Sequence, residues 1–131
     1  MTYLIDASTL VEVLRASPAK TLVRQLSQIP PQQRYTSAIG VSQLLLAARK
    51  EKNPKLMQQV IRLVSAIRVA PYDLNAAQSF AKFRATIAPE ADVDDVMIAA
   101  IAVSSGHILV TRRTQSFNVF PDLRIEDWIA G

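Results

Sequence analysis

The 131-residue chain has no cysteine and a single histidine, His107. Without thiols, disulfide scaffolds, thiolate zinc sites, iron–sulfur clusters and cysteine nucleophiles are excluded together. A lone histidine leaves no partner for a multi-histidine metal site. Glycine is scarce as well, with Gly40, Gly106 and Gly131 making up the total. That rules out a Gly-rich phosphate loop and disfavours an unrelated nucleotide-binding domain of Rossmann type. No stretch approaches the roughly 20 uninterrupted apolar residues that a membrane helix needs. The opening MTYLIDASTLVEV meets an acid at Asp6 and lacks a basic leader followed by a long apolar run, so it does not read as a secretory signal. These absences predict a cytoplasmic protein with no membrane partner. What remains is ordinary globular material, 50% hydrophobic and 20% charged, with 7 prolines. The length suits one domain, 1–131, with a sizeable core.

Charge is distributed unevenly. The first fourteen residues carry only Asp6 and Glu12, residues 13–89 hold twelve Lys/Arg against Glu51 and Asp73, and residues 90–131 hold three Arg against seven acids. A basic middle with acids at both ends suits a polyanionic partner held by the middle and chemistry supplied by the ends. The same lysines and arginines also suit plain solvation of outer helix faces.

The apolar spacing alternates between strand and helix. Tyr3–Ile5 reads as a strand ending at Asp6, followed by a helix through Leu10, Val11, Val13 and Leu14 with Ser8 or Thr9 as its cap. A second helix starts after Pro18 and stops at Pro30-Pro31. A short strand over 35–38 leads into an apolar helix over 39–50, and helical spacing resumes over 56–67 before a strand-like segment at 67–70. Asp73 caps a helix running to about Ile87. Another helix covers 92–104 and closes at Gly106 in a left-handed cap. Ile108–Val110 is a strand apolar enough for burial on both faces, and Leu123–Ile125 is a short edge strand. The alternation argues for an α/β fold, a short, mostly parallel sheet flanked by helices. In such sheets the site lies outside the carboxyl ends of the strands. That rule brings Asp6 and the loop Thr111–Ser116 to one crevice.

Asp92, Asp94 and Asp95 open one helix ahead of Val96-Met97-Ile98-Ala99-Ala100. Carboxylates there stabilise a helix start by about 0.3–1 kcal/mol each, which accounts for Asp92 as a cap. Asp95 fits that role less well, because the apolar run behind it predicts burial and a buried carboxylate needs a partner such as a cation. Helical geometry puts Asp92 and Asp95 on one face and turns Asp94 about a hundred degrees away.

These residues resemble the PIN domain, and within it the VapC-type toxin ribonucleases of prokaryotic toxin–antitoxin modules. The resemblance is carried by Tyr3-Leu4-Ile5-Asp6-Ala7-Ser8, by Asp95-Val96-Met97-Ile98-Ala99-Ala100, by Gly106-His107-Ile108-Leu109-Val110-Thr111-Arg112 and by Phe117. Ser37-Ala38-Ile39 with Leu44-Leu45, and Pro71-Tyr72-Asp73, match further pieces in the same order. It implies a PIN-like, Rossmann-like three-layer fold and an endoribonuclease that binds Mg²⁺ or Mn²⁺ through clustered acids, with Asp6 and Asp95 as metal ligands and catalytic residues. The cation would lower the pKa of a water attacking an RNA phosphodiester. RNA, a cognate antitoxin and a second copy of the chain are the implied partners.

The chain departs from the family pattern at two acids. Gln43 stands where a Glu is expected, and Thr111-Arg112-Arg113-Thr114-Gln115-Ser116-Phe117 places Ser116 where an Asp is expected. Both retain an oxygen but neither supplies charge. Asp92, Ser8 and Thr111 are candidate auxiliaries, with Asp92 better placed than Asp94 to reach Asp95. Arg112 and Arg113 are candidate phosphate contacts, and Arg113 equally suits neutralising the pocket in place of a metal. Glu12 reads as paired with a basic side chain, His107 as a surface turn histidine, and part of Leu44-Leu45-Leu46 as facing a partner. The alternative function is a catalytically degenerate PIN domain that binds RNA or antitoxin, with Gln43 and Ser116 as its marks.

Overall fold

In the computed structural model, which describes residues 1–130, the chain begins with β1 (Tyr3–Ile5), α1 (Ala7–Val13) and α2 (Lys20–Gln28). A 3-10 turn at Pro31–Gln33 leads into β2 (Arg34–Ser37), α3 (Ala38–Glu51) and α4 (Pro54–Ser65). There follow β3 (Arg68–Ala70), α5 (Leu74–Thr86), α6 (Val93–Ser105), β4 (Ile108–Val110), α7 (Thr114–Phe117) and β5 (Ile125–Glu126). The strands form one sheet in the order β3-β2-β1-β4-β5, and every pairing is parallel. The expected mostly parallel sheet is therefore parallel throughout the described residues. Its last strand starts two residues later than the spacing suggested, because Leu109 and Val110 pair with Ile125 and Glu126.

Burial on both faces follows from the strands' two-residue side-chain period. Leu4 and Leu109 point into a core shared with α5 and α6, where Phe83, Val96, Ile98, Ala99 and Phe117 pack. Ile5 and Val110, one residue on, point into a second core with Leu10, Leu22, Leu44, Val60 and Trp128. The result is three layers, helix, sheet, helix. α6 is the most deeply placed helix, with Asp95, Val96 and residues 98–102 all buried. Gly106 closes it at φ 72, the left-handed conformation that glycine adopts without a Cβ penalty.

Three local expectations are corrected. Neither Ser8 nor Thr9 caps α1: the chain turns directly out of β1, Asp6 takes the N-cap position in extended conformation, and its carbonyl accepts from the Thr9 and Leu10 amides. His107 is not a surface residue but buried at 8% exposure, its Nδ1 2.6 Å from Thr2 Oγ1 and its ring 4.8 Å from that of Tyr35. Burial lowers its pKa from the ordinary value. The helix placed at 56–67 runs from Pro54 to Ser65, since Asn53 caps it through its side chain and Pro54 occupies the first turn. Of the leucine triplet, Leu44 is buried and Leu46 is 55% exposed.

Candidate active site

Parallel pairing aligns Ile5 with Val110, so the residues that follow, Asp6 and Thr111, leave the sheet together at its carboxyl edge. Both are buried. Ser8 Oγ and Thr111 Oγ1 each donate to Asp6 Oδ2 at 2.9 Å. The same two hydroxyls accept from the loop after β4: Ser8 Oγ from the Arg112 amide at 3.3 Å, Thr111 Oγ1 from the Arg113 amide at 3.0 Å. Asp6 is thus oriented by two hydroxyls that also pin the loop. With both bonds on Oδ2, Oδ1 is the oxygen left for a ligand.

Asp95, in the first turn of α6, is 5% exposed. Its partner is Arg113, which donates from two guanidinium nitrogens to the two carboxylate oxygens at 2.9 and 2.7 Å. This fork-to-fork pairing is the strong form of a charge-assisted hydrogen bond. Arg113 also lies over the Phe117 ring, 5.6 Å from its centroid, and reaches Ser116 Oγ at 3.5 Å. Its pKa is raised, first by the hydrogen bond to Asp95, while partial burial opposes the rise and the fields of Asp95, Asp6 and Asp92 add to it. One guanidinium therefore sits in the combined field of three acids. Arg113 is thus ion-paired with Asp95.

The other candidates divide. Asp92 is exposed and caps α6 by accepting from the Asp94 amide at 2.9 Å. It also adds to the field at the Arg113 guanidinium that pairs with Asp95. Asp94 accepts from Gln43 Nε2 at 3.2 Å. On-helix spacing says nothing of α3, which packs against α6 and delivers Gln43 to Asp94. Glu12, 6% exposed, is paired as expected, with Arg15 at 3.0 Å and with Arg112 at 2.5 Å. Arg112, a candidate phosphate contact, is thereby held beside the crevice.

The donors around the crevice are carboxylate, amide and hydroxyl oxygens, the hard set that Mg²⁺ and Mn²⁺ prefer. No group of three or more His, Cys, Asp or Glu gathers to hold a metal among the described residues. The chemistry of the set fits a divalent cation held by one or two carboxylates, and the seat at Asp95 is filled by Arg113.

Comparison with known proteins gives one consistent result. The PIN domain model matches residues 3–119. The chain is 31% identical over 130 residues to a tRNA(fMet)-specific endonuclease VapC of Shigella flexneri, covering 96% of this chain and 97% of that protein. It is 32% identical over 125 residues to toxin FitB of Neisseria gonorrhoeae, covering 87% and 89%. Among solved structures, DNA-bound VapBC from Salmonella typhimurium superposes with a TM-score of 0.85 at 27% identity, over 98% of each chain.

Proposed function

Because the chain belongs to the PIN domain family, a nuclease fold, we propose that it is a divalent-cation-dependent endoribonuclease, the toxin of a toxin–antitoxin pair. The reading takes residues 1–131 as one catalytic domain acting on RNA in the cytoplasm, as a homodimer and under the control of a cognate antitoxin. The observation that carries it is a pair of buried carboxylates, Asp6 at the carboxyl edge of the parallel sheet and Asp95 joined through Arg113 to the loop that leaves the same edge. The endonuclease and toxin names of its relatives support the same activity and setting. An apolar groove between α1, α3 and α4, lined by Val11, Leu14, Leu44, Ala48, Leu56 and Val60, supports a protein partner.

In this reading Asp6 and Asp95 hold the cation, Mg²⁺ or Mn²⁺, with Ser116 as a neutral donor. When bound, the cation supplies the positive charge that lowers the pKa of water for attack on a phosphodiester. Ser8 and Thr111 fix the direction of the Asp6 carboxylate. Gln43 ties Asp94 to α3 and so holds the first turn of α6, which carries Asp95. Arg112, its side chain 46% exposed and held by Glu12, and Arg113, 43% exposed, are the groups at the mouth that would meet a phosphate.

A second reading, a catalytically degenerate module that binds RNA or antitoxin, is favoured by the occupied Asp95 and by the uncharged Gln43 and Ser116. Cleavage of a mixed RNA substrate by chelator-treated protein across a Mg²⁺ and Mn²⁺ titration separates the two. We expect cleavage to rise with cation and to vanish in Asp95→Asn. Equal background in both proteins at every concentration assigns the chain to the binding module.

A further inference from the structure

We propose that Arg113 is a resident counter-cation of Asp95, so that a divalent cation enters this site only by displacing the guanidinium. The inference rests on the reading of Asp95 as a cation ligand and adds what stands in the way. Both oxygens of Asp95 are taken by Arg113, at 2.9 and 2.7 Å. A guanidinium that delivers two parallel N–H groups leaves a carboxylate little room for a second cation.

Three further contacts separate this pair from a casual surface one. The Arg113 amide donates to Thr111 Oγ1, the hydroxyl that also orients Asp6. Its guanidinium lies over Phe117, a fully buried ring, and reaches Ser116. The loop is thus built to aim this side chain at α6. Ser116 contributes by what it lacks, since an acid there would compete with Asp95 for the same guanidinium. Asp95 is buried while the Arg113 side chain is 43% exposed, so the pair can open outward: the arginine swings into water and the carboxylate stays in place. The resting protein is accordingly neutralised and folded at Asp95 without metal. Its apparent affinity for a divalent cation is reduced by the equilibrium that favours the closed pair.

The experiment is isothermal titration of Mn²⁺ into chelator-treated wild type, Arg113→Gln and Arg113→Lys, each also carrying Asp95→Asn as a control, with circular dichroism confirming that every variant is folded. We expect Arg113→Gln to bind Mn²⁺ at least tenfold more tightly than wild type. Arg113→Lys, which keeps the charge but loses the fork, should fall between them, and Asp95→Asn should abolish the gain. Should Arg113→Gln fail to fold without metal, Arg113→Lys against wild type carries the same comparison. Equal Mn²⁺ affinities, or a gain that survives Asp95→Asn, overturn the proposal. RNA cleavage by wild type at saturating cation is read separately: cleavage with equal affinities sinks the counter-cation and leaves the ribonuclease. Tighter binding by Arg113→Gln with no cleavage by any variant does the reverse.

Discussion

Removing one member of the Asp95–Arg113 pair should destabilise the fold far more than removing the other, because the two sit on opposite sides of the water boundary. The Asp95 side chain is 7% exposed and that of Arg113 is 43% exposed. Asp95→Asn leaves a guanidinium that water rehydrates, and its loss should resemble that of an exposed ion pair, about 1 kcal/mol. Arg113→Gln leaves a buried carboxylate with no counter-charge. Breaking buried pairs this way costs about 3–5 kcal/mol, and with only one partner buried the lower end applies, about 3 kcal/mol. Against a typical total of about 5–15 kcal/mol this is a large fraction. For a chain of this length it corresponds to a fall in Tm of roughly 10 °C, against roughly 3–4 °C for Asp95→Asn. The double variant should lose about 1–2 kcal/mol, leaving a coupling of about 2–3 kcal/mol in the double-mutant cycle. The assay is urea unfolding at pH 7 in chelator, with equal m-values required before the stabilities are compared. Equal losses from the two single variants, a larger loss from Asp95→Asn, or additive effects in the cycle would refute the argument.

Two other predictions concern the scaffold. Gly106→Ala meets no atom within 4 Å of its new Cβ but must adopt φ 72, so it should cost about 1 kcal/mol from backbone strain alone, with Gly106→Asn milder, measured by the same unfolding. Burial lowers the pKa of His107, so the folded protein binds fewer protons there than the unfolded chain. Its contribution is then complete above the unfolded value near 6.5 and is lost as pH falls from there toward the lowered folded value. Thermal melts should show Tm decreasing from pH 7.5 to 5.5, and His107→Gln should flatten that slope; an unchanged slope would remove His107 as its source.

What the sequence made legible were features decided within a few residues. The run Tyr3-Leu4-Ile5 ending at Asp6, the cap at Asp73 and the Gly106 stop all act through neighbours in the chain, and each appears where the spacing put it. The carboxyl-edge rule likewise brought Asp6 to the loop after β4. Contacts across the fold were harder to see. His107 read as a turn residue because nothing local reveals Thr2 and Tyr35, which neighbouring strands lay against it. The Gln43–Asp94 contact was hidden as well, because helical spacing describes one helix and Gln43 arrives from another. A clue to Arg113 was present in the sequence: an extra arginine beside a missing acid, in a loop already assigned to the crevice. Only the fold showed that Asp95, eighteen residues away, was the acid it met.

The register that pairs Ile5 with Val110 also sets when the site comes into being during synthesis. β1 emerges first from the ribosome yet lies at the centre of the sheet, so one of its edges stays open until β4 is made, more than a hundred residues later. A nascent chain halted before Thr111 holds Asp6 without one of its two hydroxyl donors and Asp95 without a guanidinium. A cell making this chain therefore meets the assembled crevice only after β4 and the loop that follows it have left the ribosome.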